Sequence, residues 1–183
     1  MNAIEIMNEE HQYIKRMLKV VRAVSFKVLQ GEDINYYDFE LIIDFISNYA
    51  DAHHHKKEEK MLFNKMIENL GEVAERVIKN GMLVEHELGR LYIRDLKQAL
   101  VNLKSGYEES KLDVIANAIS YTHLLERHID KEDKVIYKFA QRELDKSILS
   151  TINEECIEFE ENNLNVKDRC ILILKNLENK YVK

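Results

Sequence analysis

Two short stretches of this chain carry the same pair of chemical groups at the same spacing. His54 and Glu58 stand four residues apart, and so do His128 and Glu132, each pair trailed by apolar residues. On a helix, residues four apart lie one turn above each other, so each pair presents an imidazole and a carboxylate on one face. Two lone histidines, His11 and His86, fall in the apolar stripes of other helical patterns. A lone histidine on an apolar face is ordinarily a core residue, and a single His-x-x-x-Glu is common on exposed helices. The joint pattern is different, because four histidines and two glutamates buried together without a metal would leave costly polar groups. Four imidazoles and two carboxylates suit two transition ions, each taking two histidines, with Glu58 and Glu132 bridging and an oxo or hydroxo group completing the bridge. Six side chains do not saturate two six-coordinate ions, so positions remain for a small ligand. The mixed donor set favours iron, then manganese; zinc would accept the same residues.

The elements that must bring these groups together follow from an internal repeat. His86 follows His11 by 75 residues and His128 follows His54 by 74, while Gly31 and Gly106 each lie 20 residues past the lone histidine of their half. The neighbours also correspond: Glu10-His11 with Glu85-His86, and Lys57-Glu58-Glu59-Lys60 with Lys131-Glu132-Asp133-Lys134. Apolar periodicity predicts helices over Ala3 to Leu29, Tyr37 to Asn69, Met82 to Lys104 and Lys111 to Arg142, with a short helical piece at Glu72 to Lys79 broken by Asn80-Gly81. Ser110 is the expected N-cap of the fourth. The second helix should face inward with Ile43, Ser47, Ala50, His54, Glu58 and Met61; the fourth with Ile115, Tyr121, Leu125, His128, Glu132, Val135 and Phe139. In each half the two helical legs from histidine to turn are roughly 26 Å at about 1.5 Å per residue, so an antiparallel hairpin brings its histidines level. Two such hairpins make an all-α, antiparallel up-down-up-down four-helix bundle over residues 1–142, a fold that builds metal sites from inward side chains. Residues 143–183 read as a C-terminal helical extension, with Ile148, Ile152 and Phe159 in one helix and Ile171, Leu172, Leu174 and Leu177 in another, packed on the bundle or a partner.

Composition narrows the function classes. The 183 residues include no Pro, no Trp and only five Gly, which fits long helices. A net charge of −6 without a basic cluster argues against nucleic acid. No apolar run reaches the roughly 20 residues of a membrane helix, and the acidic start does not read as a secretory signal. Cys156 and Cys170 form no redox or disulfide motif, and their expected role is buried packing in a reducing cytoplasm.

Around the six residues, His53 and His55 should point about 100° to either side of His54, into supporting or surface roles. His123 belongs to another face. Glu59 and Asp133 are candidates for hydrogen bonds to a ligand or for local ion pairs. Arg90, one turn after His86, should face the site, where it could orient a carboxylate or an anionic ligand, with a structural salt bridge as its expected role. Tyr13, Tyr121 and Tyr137 are candidate proton donors.

The order His, His-x-x-x-Glu, His, His-x-x-x-Glu resembles the hemerythrin-like (HHE cation-binding) domains over about Met1 to Arg142. His54-His55-Lys56-Lys57-Glu58-Glu59-x-x-Leu62-Phe63, Glu85-His86-x-x-Gly89-Arg90 and His128-Ile129-x-Lys131-Glu132-Asp133 are close to bacterial members. The resemblance implies a non-haem di-iron centre held by His11, His54, Glu58, His86, His128 and Glu132. Oxygen carriers of the family have a seventh ligand, a second histidine one turn along the third helix; here Met82 and Arg90 stand four residues from His86. The six-ligand set is more similar to sensors, iron-centre repair proteins and peroxide- or nitric-oxide-reactive members. The ferritin-like Glu-x-x-His is absent. The expected function is thus a di-iron protein that engages O2, nitric oxide or peroxide for sensing, storage or stress response, with a possible homodimer or redox partner. A peroxidase- or oxidase-like enzyme is the alternative, and a module regulated by a partner docking on residues 143–183 is a third.

Overall fold

The computed structural model describes residues 1–182, all in helices and short turns, with no strand among them. Helix α1 spans Ala3–Leu29. It opens on a capping box, the Asn2 side chain accepting from the Glu5 amide and the Glu5 carboxylate from the Asn2 amide, both at 2.9 Å. It closes before Gly31, whose φ of 91° is the left-handed conformation glycine adopts without strain. Helix α2 (residues 36–69) starts as Tyr36–Phe45, widens into π-type turns at Ile46–His55 and Glu58–Phe63, and ends as Asn64–Asn69. Helix α3 (residues 71–104) runs through Gly71–Val77, a wide turn at Ile78–Met82, and Leu83–Lys104. Helix α4 (residues 110–143) comprises Ser110–Lys131, a wide turn at Glu132–Ile136, and Tyr137–Glu143. Helices α5 (Lys146–Asn162) and α6 (Leu164–Tyr181) follow.

Three expectations are corrected. Asn80-Gly81 does not break the chain; helix continues through it as a wide turn. Ser110 is the first helical residue rather than a cap, and Glu109 before it makes no side-chain cap. The third correction concerns facing. A π-type turn spends one more residue than an α-turn, so every position beyond it rotates relative to a 3.6-residue extrapolation. Beyond Glu132 the buried residues are therefore Ile136, Tyr137 and Ala140, while Val135 is 58% exposed. Beyond Glu58 they are Leu62 and Phe63, with Met61 only half-buried.

Helix α3 packs along α4, and α1 packs against α4 and the middle of α2. Helix α6 lies along α1 and α2, and α5 reaches α1 and the Glu58–Phe63 turn. The interior divides into two apolar clusters. The larger runs from Ile14 to Val28 on α1 and takes in Phe39, Tyr49, Leu96, Leu125 and, from α6, Cys170 and Leu174. The smaller gathers Met7, Leu62, Phe63, Met82, Ile136 and, from α5, Ile152 and Cys156. Leu172 of α6 is 59% exposed, while Leu174 and Leu177 are buried. Ion pairs fasten the extension: Glu178 accepts from Arg16 at 2.5 and 3.0 Å, and Asp38 accepts from Lys180 at 2.5 Å. Among the described residues, no helix is long and apolar enough to cross a membrane.

Candidate metal centre

A polar layer separates the two apolar clusters, and all six residues singled out by the repeat meet in it. His11, His54, Glu58, His86, His128 and Glu132 are each at most 1% exposed. The matched helical legs leave the His11 and His54 ring centroids 4.5 Å apart and those of His86 and His128 4.7 Å apart. Both carboxylates reach both histidine pairs. Glu58 Oε2 is 3.5 Å from the Nε2 atoms of His54 and His86. Glu132 is 3.4 Å from His11 Nε2, 3.1 Å from His128 Nε2 and 3.9 Å from His86 Nε2.

Behind each imidazole stands another carboxylate. Asp133 is 2.6 Å from His11 Nδ1, Glu10 2.9 Å from His54 Nδ1, Glu59 2.7 Å from His86 Nδ1 and Glu85 2.8 Å from His128 Nδ1. The repeat governs this arrangement. The acid preceding each lone histidine holds the histidine across its own hairpin, and the acid following each inner glutamate holds the lone histidine of the other half. An ionised carboxylate only accepts, so Nδ1 carries the proton and Nε2 presents a lone pair to the centre. The tautomers are assigned from these partners.

The inner atoms then face one another as acceptors. His86 and His128 Nε2 are 3.0 Å apart, and Glu58 Oε2, both Glu132 oxygens and His55 Nε2 have no hydrogen-bond partner. Buried acceptors crowded in this way are costly. Protons relieve part of the crowding, unevenly across the groups. Burial, with Glu132 beside it, pushes Glu58 well above the usual carboxylate range. Burial brings His54 down to about 4, with His11 adding to the shift. Burial opposes protonation of His128, but Glu132 and Glu85 outweigh it and raise its pKa to about 9. A polyvalent cation satisfies all these donors at once, and carboxylate oxygens with imidazole nitrogens are the donor set of a transition ion. Two groups of side chains could hold a cation here: His11, His54, Glu58 and Glu132, and His55, Glu58, His86 and His128.

His55 is thus at the centre rather than beside it, buried at 4% exposure and stacked on the His86 ring at 3.8 Å. His53, also buried, lies 3.1 Å from Glu10 and 2.8 Å from Glu160 of α5, close but not aligned for hydrogen bonding. Three consecutive histidines are buried because α2 has a neighbour on each flank, α1 and α5 on one side and α3 and α4 on the other. Only His123 stays at the surface, 3.5 Å from Arg22. Glu59 and Asp133 face His86 and His11 rather than solvent. Arg90 donates to Asp51 and Glu59 at 2.6–2.9 Å, bracing the carboxylates behind His55 and His86. Among the tyrosines, Tyr137 donates to Glu58 and stacks on His11 at 5.5 Å. Tyr121 lies at the wall of a cavity of about 230 Å³ that also touches His55, His86, Arg94 and Lys97. Tyr13 meets Glu9 and the Tyr49 edge, away from the centre.

Sequence reasoning assigned no role to Glu10, Glu85 and Lys57, although the Glu-His repeat was the available signal. Lys57 is fully buried, its ammonium donating to both Glu10 and Glu160, and Glu160 accepts from Lys167 at 2.7 Å.

Comparison with known proteins adds two findings. No curated protein matches the chain. The family model of the hemerythrin HHE cation-binding domain matches residues 2–140, a span that contains every inner imidazole and carboxylate of the polar layer. By that match over three-quarters of its length, and by a centre built for a cation, the chain belongs to the hemerythrin HHE cation-binding family.

Proposed function

We propose that this is a non-haem di-iron protein of the six-ligand type, in which His11, His54, Glu58, His86, His128 and Glu132 hold two iron ions joined by an oxo or hydroxo bridge. It engages O2, nitric oxide or peroxide in sensing, storage or stress response in the cytoplasm. Manganese and zinc rank below iron. In this reading residues 1–142 form the up-down-up-down bundle that binds the ions, and residues 143–183 are an extension packed on it. The observation that carries the proposal is the orientation of the imidazoles, each proton-bearing Nδ1 held by an outer carboxylate and each Nε2 turned to Glu58, to Glu132 or to both.

When bound, an iron pair supplies redox equivalents and exchangeable positions for a small ligand. The chain's own part is to hold the lone pairs inward, to keep a proton on Tyr137 Oη beside Glu58, and to exclude water with the apolar clusters above and below. Metal analysis and the ultraviolet-visible spectrum of one sample, reduced and then aerated, test this. Two irons per chain with near-ultraviolet oxo-bridge bands are expected; a chain purified from iron-replete cells without transition metal overturns it.

One observation favours a second reading, an enzyme that turns over peroxide or oxygen. The Tyr137 phenol is buried and hydrogen-bonded to Glu58, where it serves as a proton donor. Multiple turnovers with hydrogen peroxide and a reductant, lost in Tyr137→Phe, would establish it; stoichiometric oxidation alone would exclude it.

A further inference from the structure

We infer that His55 is a fifth imidazole ligand, binding through Nε2 to the ion held by His86 and His128 and making the two metal positions unequal. The inference rests on the di-metal reading above and adds a ligand drawn from a position that the repeat does not supply.

Three observations carry it. First, His55 Nε2 is buried and has no hydrogen-bond partner in the protein. Second, a ring nitrogen of His55 lies within 4.8 Å of a donor atom on each of Glu58, His86 and His128, closing a group of four that shares only Glu58 with the group around His11, and Nε2 is the nitrogen not already turned to Asp51. Third, His55 is held as the other four imidazoles are, with a carboxylate behind Nδ1. Asp51 Oδ1 stands 3.4 Å away and is itself fixed by Arg90 at 2.6 and 2.9 Å. That contact is longer than the other four, in keeping with Asp51 being shared between His55 and Arg90. A buried histidine that served only packing would turn this lone pair toward a donor; this one faces Glu58 and two further imidazoles.

The asymmetry follows from the repeat. His54 corresponds to His128, so the counterpart of His55 is Ile129, a buried apolar residue. Nothing equivalent can serve the ion at His11 and His54. One ion therefore has three imidazoles and the other two, while Glu58 and Glu132 are shared. Neutral nitrogen donors bind ferrous ion more firmly than the waters they displace, so the position with His55 should fill first.

The test is anaerobic titration of the metal-free full chain with ferrous ion against a competing chelator, for wild type, His55→Ala, His55→Gln and His123→Ala. Wild type is expected to bind two ions in resolved steps. His55→Ala should weaken one step by at least about tenfold, the size seen even when a residue behind a ligand is lost, and leave the other within about threefold. Mössbauer spectra of the iron-57 form should show one of two doublets shifted. His55→Gln keeps the volume and a polar contact to Asp51, so it should behave as His55→Ala does, and it carries the test if the alanine variant fails to fold. Unchanged steps and doublets in both variants overturn the inference, as does equal weakening of both steps or wild-type binding in His55→Gln, each of which signals packing. A wild-type chain that binds no ferrous ion overturns the di-metal reading itself, and the His55 assignment falls with it. His123→Ala, altered at the surface, should match wild type.

Discussion

In the first half of the molecule Glu10 accepts hydrogen bonds from His54 Nδ1 and the Lys57 ammonium; in the second, Glu85 accepts them from His128 Nδ1 and the Lys131 ammonium. The bonding is the same and the surroundings are not. Helix α5 lays Glu160 and Phe159 over the first set, leaving the Lys57 side chain 0% exposed, whereas that of Lys131 is 43% exposed. The repeat thus builds one pairing twice, and the extension turns one copy into a network in which Lys57 joins Glu10 to Glu160, with His53 packed beside it. This network also differs in kind from the metal centre beside it. Both are dense in histidine and carboxylate, but the network contains its own cation in Lys57, while the centre brings only imidazoles and carboxylates together, with no lysine or arginine among them. A buried anion is tolerated when it is paired, and the molecule pairs its anions in two different ways.

The largest effect should come from breaking the buried copy. Lys57→Met leaves Glu10 and Glu160 without their shared ammonium and should destabilise the protein by about 3–5 kcal/mol. Lys131→Met, at the surface, should lose no more than about 1 kcal/mol. Urea unfolding of the two metal-free variants measures the contrast, and equal losses would abolish it. Next in size is the grip on metal. Glu10→Gln and Glu85→Gln each remove a carboxylate behind a ligand and should weaken ion binding about 10–100-fold by chelator competition. Glu10→Gln should stand at the upper end, because it also unbalances Lys57.

Glu160→Gln removes one member of the network and should cost about 1–3 kcal/mol. Its pH dependence sharpens the point. Burial pushes the Glu160 carboxyl up, but His53, Lys167 and Lys57 outweigh burial and bring its pKa down to about 2. A pKa below the unfolded value of about 4.3 means the stabilisation is complete above that pH and lost as pH falls toward 2. The difference between metal-free wild type and Glu160→Gln should therefore be constant near neutrality and shrink between about pH 4 and 2. A gap that widened on acidification would reverse the sign and refute the pairing. The smallest effect belongs to His123→Ala, within about 0.5 kcal/mol of wild type, since this exposed histidine has no part in either cluster.

Much of the centre was legible in the chain because a helix converts spacing into direction. Four-residue steps from His54 and His128 gave the two faces, and matched legs levelled the histidines. Legibility stopped at the wide turns. No composition signal announces that Ile46–His55 or Glu132–Ile136 takes an extra residue per turn, so Val135 was read on the wrong side of its helix and Met61 lies only half-buried at the edge of the core. It stopped again at His53 and His55, because a helical wheel has one inside only when the helix has one covered face. Glu10 and Glu85 stood in plain view in the repeat, yet an acid beside a histidine has no meaning until its cross-helix partner is known.

By itself, then, the sequence determined the helices, their pairing lengths and which six side chains belong to one level, since all three follow from local periodicity and chain length. Only the tertiary structure decided which carboxylate stands behind which imidazole, which lysine is buried and where His55 points. Those depend on which helix lies across α2 on each flank, a contact between residues as far apart as Lys57 and Glu160 that no local pattern encodes.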